Sequence, residues 1–180
     1  MLGPMPVTLF LFLLLAAVGI VDVGWYHLYR LRLYRDRRAR VEQIAHSTRG
    51  VLFVAMLCLV VPATPQGRWV DVGLCLFVAD FVNTIADTWV ERGSRRGGLR
   101  HGEYMVHVAG SVLAGAAALA FAFEAVPMRP LPTALVARPL APGWTAAAWL
   151  AVVGVAAVVV LEFALHLRAR LTWRQAGVTS

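Results

Sequence analysis

Three segments of the 180-residue chain repeat one pattern: Glu42-Gln-Ile-Ala-His46, Glu103-Tyr-Met-Val-His107 and Glu162-Phe-Ala-Leu-His166. Four residues is just over one helical turn, so in each segment the acid and the imidazole project from one helix face. The chain has only five Glu and five His, and a Glu would meet a His at this spacing roughly three times in a hundred by chance. Imidazole with carboxylate is a ligand set for iron, manganese or zinc. It lacks the thiolate that selects copper(I) or an iron–sulfur cluster.

Other residues of the same kind fall at helical spacing. Asp80, Asn83, Asp87 and Glu91 follow one another at intervals of three, four and four, which puts them on one face. Asp22 and His27 add an acid and an imidazole. In an α-helix five residues turn through about 140°, so these two are not expected to point inward together. The expected metal ligands are Glu42, His46, Asp80, Asp87, Glu103, His107, Glu162 and His166, with Asp22 and His27 as additional candidates. Asn83, Arg49 and Glu91 are expected to support them from outside, Arg49 by holding a carboxylate or an anionic headgroup and Glu91 near its helix end. His101, Asp36, Asp71 and Glu124 read as solvated or interfacial.

These residues need elements that bring them to one place. The chain is 59% hydrophobic with a mean hydropathy of +0.68, more than a soluble domain of this length can hide. Five apolar runs approach the roughly 20 residues that cross a hydrocarbon core. They cover about 7–28, 42–61, 69–90, 103–123 and 144–166, and predict an all-α integral membrane protein: one five-helix transmembrane domain over residues 1–180. The connection 125–143 is rich in proline and is expected to be extended and mostly irregular.

Arginines set the expected topology. Thirteen lie between residues 30 and 40, between 92 and 100, and in the tail after 166, against three on the other side (Arg68, Arg129 and Arg138). The positive-inside rule then puts the N-terminus outside and the C-terminus in the cytoplasm, in a membrane of the bacterial inner type. On that topology all three Glu-x-x-x-His pairs reach the inner leaflet. Trp25, Tyr26, Tyr29, Trp69, Trp89, Trp144 and Trp173 fall near the two interfaces. Helix four carries small residues at Gly110, Ala114 and Ala118, and helix five at Ala147 and Ala151, spacings that let helices approach closely.

Composition also excludes. The net charge of +7 comes from arginine alone, which lies between apolar runs and so reads as topology, not as nucleic-acid binding. The absence of lysine removes Schiff-base chemistry. Cys58 and Cys75 sit inside apolar runs and read as small buried hydrophobes. Only five His are present, too few for the eight-histidine pattern of membrane desaturases and hydroxylases. Soluble di-iron bundles arrange Glu and Glu-x-x-His on four helices in a comparable way, with a spacing one residue shorter.

An ionisable group at mid-membrane costs about 2.5–3.5 kcal/mol on insertion scales and usually has a partner inside the bundle. So many acids on one side require a shared cation, and the number of ligands suits two ions bridged by carboxylates, with iron favoured and zinc or manganese as alternatives. The expected function is that of a membrane-embedded metalloenzyme at the cytoplasmic leaflet. The favoured chemistry is an iron-dependent oxidoreductase that hydroxylates or desaturates a lipid or other apolar substrate. Such an enzyme would require an electron-donor protein and could work as a homo-oligomer. The alternatives are a divalent-cation transporter, a zinc-dependent membrane hydrolase and a b-haem electron-transfer subunit.

Overall fold

The computed structural model describes residues 6–94 and 99–175, with the side chains of all of these except 92, 94 and 173–175. The expectations for Trp173 and for Arg92, Arg95, Arg96 and Arg174 rest on side chains outside those described. Among the described residues, five helices are long and apolar enough to cross a membrane: Val7–Arg30, Arg40–Val60, Arg68–Glu91, His101–Met128 and Pro142–Thr172. The first begins as α-helix (α1, Val7–Gly19) and continues as a π-helix over Ile20–Arg30. Then come α2 (Arg40–Val60), strand β1 (Ala63–Gln66), α3 (Arg68–Ser94), α4 (His101–Ala125), strand β2 (Ala134–Ala137) and α5 (Pro142–Gln175).

Local sequence explains the boundaries. Pro62 follows the last turn of α2, where it removes an amide the helix would need. Pro142 opens α5, a position where the missing amide costs nothing. The Thr8 amide in the first turn of α1 donates to Glu124 Oε1 at 3.2 Å, so the carboxylate satisfies an orphan donor at the positive end of the helix.

Contacts between helices close the bundle into a ring in the order α1, α4, α3, α2, α5. Its interior has two layers. Near the β1–β2 end, Leu9, Phe12, Phe53, Met56, Leu57, Val60 and Phe121 form an apolar core. Phe12 is fully buried, with ring centroids 5.4 Å from Phe53 and 5.8 Å from Phe77. Toward the arginine-rich loop Arg30–Arg40 the interior turns polar: His27, Glu42, His46, Asp87, Glu91, Glu103 and Glu162 are all buried.

Two expectations are corrected. The proline-rich connection is not mostly irregular, because β2 pairs antiparallel with β1 in the register Ala63↔Ala137 to Gln66↔Ala134. Gly67 makes the turn out of β1 at φ +58°, and a Cβ there would lie 2.7 Å from Thr133 Cα, so only glycine fits. This cap is tied further by Arg129 Nε to Asp71 Oδ1 at 2.8 Å. Burial lowers the pKa of Arg138 in the same cap, and the charge of Glu124 opposes that shift.

Cys58 and Cys75 are on the outer surface, not in the core. The bundle's outer face carries many large hydrophobics of its own, among them Val78, Phe81, Phe123 and Leu150, so hydrophobicity does not separate inside from outside. Among the small residues of α4, Gly110 and Ala117 are buried, whereas Ala114 and Ala118 are only partly covered.

Candidate metal centre

The polar layer is built from the same turn of four helices. The π-helix supplies Asp22 and His27, α2 supplies Glu42 and His46, α3 supplies Asp87 and Glu91, and α4 supplies Glu103 and His107. His46 is the hub. Its Nδ1 lies 3.5 Å from Asp87 Oδ2, and its Nε2 lies 3.8 Å from Glu91 Oε1 and 4.0 Å from Glu42 Oε1. His27 Nε2 lies 3.5 Å from Glu103 Oε1. His107 Nε2 is 3.1 Å from Asp22 Oδ1, and its Nδ1 is 3.5 Å from Glu91 Oε1.

Two groups of donor atoms lie within 4.8 Å of one another: His27, His46 and His107, and Glu42, His46 and Glu91. Two donors bonded to one ion at 2.0–2.2 Å are roughly 3–3.5 Å apart at tetrahedral or octahedral angles. In the second group His46 Nε2 stands 3.8 and 4.0 Å from the two carboxylates, so the donors would draw in by a few tenths of an ångström or more to share an ion.

Hydrogen bonding does not account for the arrangement. His27 is 1% exposed, and neither ring nitrogen has a hydrogen-bond partner among the described residues. Asp87 Oδ1 is also buried without one, whereas Asp22 Oδ1 and His107 Nε2 are buried against each other at 3.1 Å. Buried polar atoms are nearly always satisfied, and an absent ion is among the few explanations for a cluster of exceptions. Five carboxylates in one low-dielectric layer would also repel strongly without cations. The residues therefore fit a metal ion.

The π-helix explains why Asp22 and His27 both take part. Its i→i+5 hydrogen bonding widens the turn, so residues five apart share a face. His27 Nε2 consequently lies 3.6 Å from Asp22 Oδ1. The expected 140° offset, which assumes α-helical geometry, does not hold here. Glu91, expected merely to mark a helix end or support the ligands, stands inside the second group.

The third Glu-x-x-x-His pair sits beside the cluster, outside both groups. Glu162 accepts a hydrogen bond from Ser47 Oγ at 3.1 Å, and His166 Nδ1 is 2.6 Å from Gln43 Oε1. Gln43 and Ser47 are themselves four apart on α2, next to Glu42 and His46. That second spacing was the available signal for the face α2 turns to α5. Asp80 pairs with Arg49, Nε to Oδ1 at 3.3 Å, and Asn83 donates to the Ala45 carbonyl at 2.9 Å, which ties α3 to α2. His101 and Asp36 are exposed.

Above the cluster, toward the apolar core, lies a cavity of ≈ 100 Å³ lined by all five helices. Its walls are largely apolar, with Leu15, Phe53, Val106 and Val155 among them, and its polar side chains are Asp22, His46, His107, Glu162, Asp80 and Arg49. An apolar chamber thus meets a His/carboxylate centre. No known protein family, curated protein or solved structure matches this chain.

Proposed function

We propose that this protein is a membrane-embedded metalloenzyme with a dinuclear His/carboxylate centre, oriented with its N-terminus outside and the centre at the cytoplasmic leaflet of a bacterial-type inner membrane. The observation that carries the reading is the pair of donor groups sharing His46 at the polar end of an apolar cavity. His27, His46 and His107 would hold one ion and Glu42 and Glu91 the second; His46 would reach both only by offering Nδ1 to one and Nε2 to the other as an imidazolate. Asp22, Asp87 and Glu103 complete the charge. Five carboxylates suit hard, oxygen-rich coordination, which favours iron over zinc.

The favoured reaction is oxidation of a C–H bond in an apolar substrate. Dioxygen takes four electrons, two from the C–H bond and two from a reduced partner protein, and with two protons yields an alcohol and water. The chain's own part is to hold the substrate in a dry chamber beside the centre and to keep the ligands in place. The apolar layer formed by Leu9, Phe12, Phe53, Leu57 and Val60 supports an enzyme over a cation transporter, because it closes the interior beyond the cluster. Haem is disfavoured by the carboxylates that crowd every imidazole of the cluster.

Elemental analysis of protein purified without added chelator tests the reading. It predicts close to two iron atoms per chain and weak near-ultraviolet absorption with no Soret band. Metal-free protein, or stoichiometric haem, would overturn it.

A further inference from the structure

We infer that the cavity is the substrate chamber, reached from the bilayer between the first helix and α5, and that it takes a slender, uncharged apolar molecule whose carbonyl-type acceptor is bound by Arg49. The inference rests on the enzyme reading above and names the substrate class of that site.

The access point is read from Ile20. This residue lines the cavity and is itself 42% exposed. It also stands where α1 becomes π-helical, and its Cδ1 faces Gly154 of α5, where a Cβ would lie 3.9 Å away. A flexible side chain opposite a glycine is the thinnest kind of wall between lipid and chamber. The chamber is narrow, with room for several waters or an alkyl segment, and too small for a branched or two-chain lipid to lie in whole.

The polar end is selected by charge. Among the described residues, Arg49 is the only cationic side chain in the cavity lining apart from any protonated histidine. Asp80 meets it through Nε, and the two terminal nitrogens carry four further donors. Asp80 already balances the guanidinium charge, and Asp22 and Glu162 line the same wall. A carboxylate or phosphate on the ligand would add an anion to an acid-rich surface. A neutral carbonyl accepts from Arg49 and brings no charge to bury.

The test uses the full chain in phospholipid nanodiscs and a tritiated long-chain methyl ketone, displaced by the unlabelled ketone, the alkane and the carboxylic acid of equal chain length. Saturable ketone binding is expected, with the alkane and the acid at least tenfold weaker. Arg49→Gln combined with Asp80→Asn, which keeps the wall neutral and hydrogen-bonding, should weaken the ketone about tenfold and leave the alkane unchanged. Gly110→Leu, whose side chain would project from α4 into the cavity, should abolish binding of all three. The unaltered chain, stripped of metal by a chelator, should still bind ketone, so a failed metal centre is distinguishable from a failed chamber. Tighter binding of the acid, or equal binding of ketone and alkane, overturns the assignment of Arg49. Absence of saturable binding overturns the chamber itself.

Discussion

The imidazoles of His27 and His46 face each other across the bundle with ring centroids 4.2 Å apart and planes tilted by 54°. They are 1% and 5% exposed, and the His107 ring completes a triangle at 6.0 and 5.9 Å. Two buried imidazoles and a partly buried third this close, ringed by acids, are easier to hold around cations than around nothing. Each prediction below tests one consequence of that arrangement.

His46 belongs to both donor groups, whereas His27 and Glu42 belong to one each. His46→Ala should therefore weaken binding of both ions, by more than the roughly 10–100-fold that follows loss of an outer partner. His27→Ala and Glu42→Gln should each remove about one ion of two. Metal per chain measured by mass spectrometry checks this, and equal losses in all three variants would contradict the shared-ligand geometry.

His166 is expected to matter for stability more than for metal. Its hydrogen bond to Gln43 joins α5 to α2, and His166→Ala leaves the amide of Gln43 buried without that partner. The expected cost is about 1–3 kcal/mol, with metal content unchanged. Denaturation in mixed micelles reads the first quantity and elemental analysis the second; loss of metal in this variant would move His166 into the ligand set.

Asp80 and Arg49 should behave as a pair. Asp80→Ala strands a guanidinium in the bundle wall. Breaking a fully buried pair costs about 3–5 kcal/mol, and the Arg49 side chain is 25% exposed, so a smaller loss of about 1–3 kcal/mol is expected. Arg49→Met combined with Asp80→Leu should recover most of it. A double variant less stable than Asp80→Ala alone would show that the pair is not the source of the effect.

Removing the metal should loosen one end of the bundle only. With metal at 1,000 times its Kd, binding contributes about 4 kcal/mol to stability, which chelation removes. Hydrogen exchange should then rise in residues 22–27, 42–46, 87–91 and 103–107 while residues 9–16 and 53–60 stay protected. Uniform loosening, or none, would argue against a localised cation site.

Composition and periodicity determined a great deal of this protein by themselves. Five runs long enough to span a membrane are set by local hydrophobicity, and the helices observed begin and end within a few residues of them, except that α5 runs on well past 166. The Glu-x-x-x-His spacing likewise determined that Glu42 and His46 share a face, because that depends only on one helical turn.

What tertiary structure alone decided is which faces meet. A turn of π-helix, invisible to an α-helical count, brought Asp22 beside His27. Packing of α5 against the Gln43 and Ser47 face of α2, not against the Glu42 and His46 face, left Glu162 and His166 outside both donor groups. Glu91, by contrast, was carried into the centre by α3. Spacing along one helix fixes relative direction within that helix. The rotation of each helix about its own axis is settled only by the neighbours it packs against, and that rotation separates a ligand from a bystander.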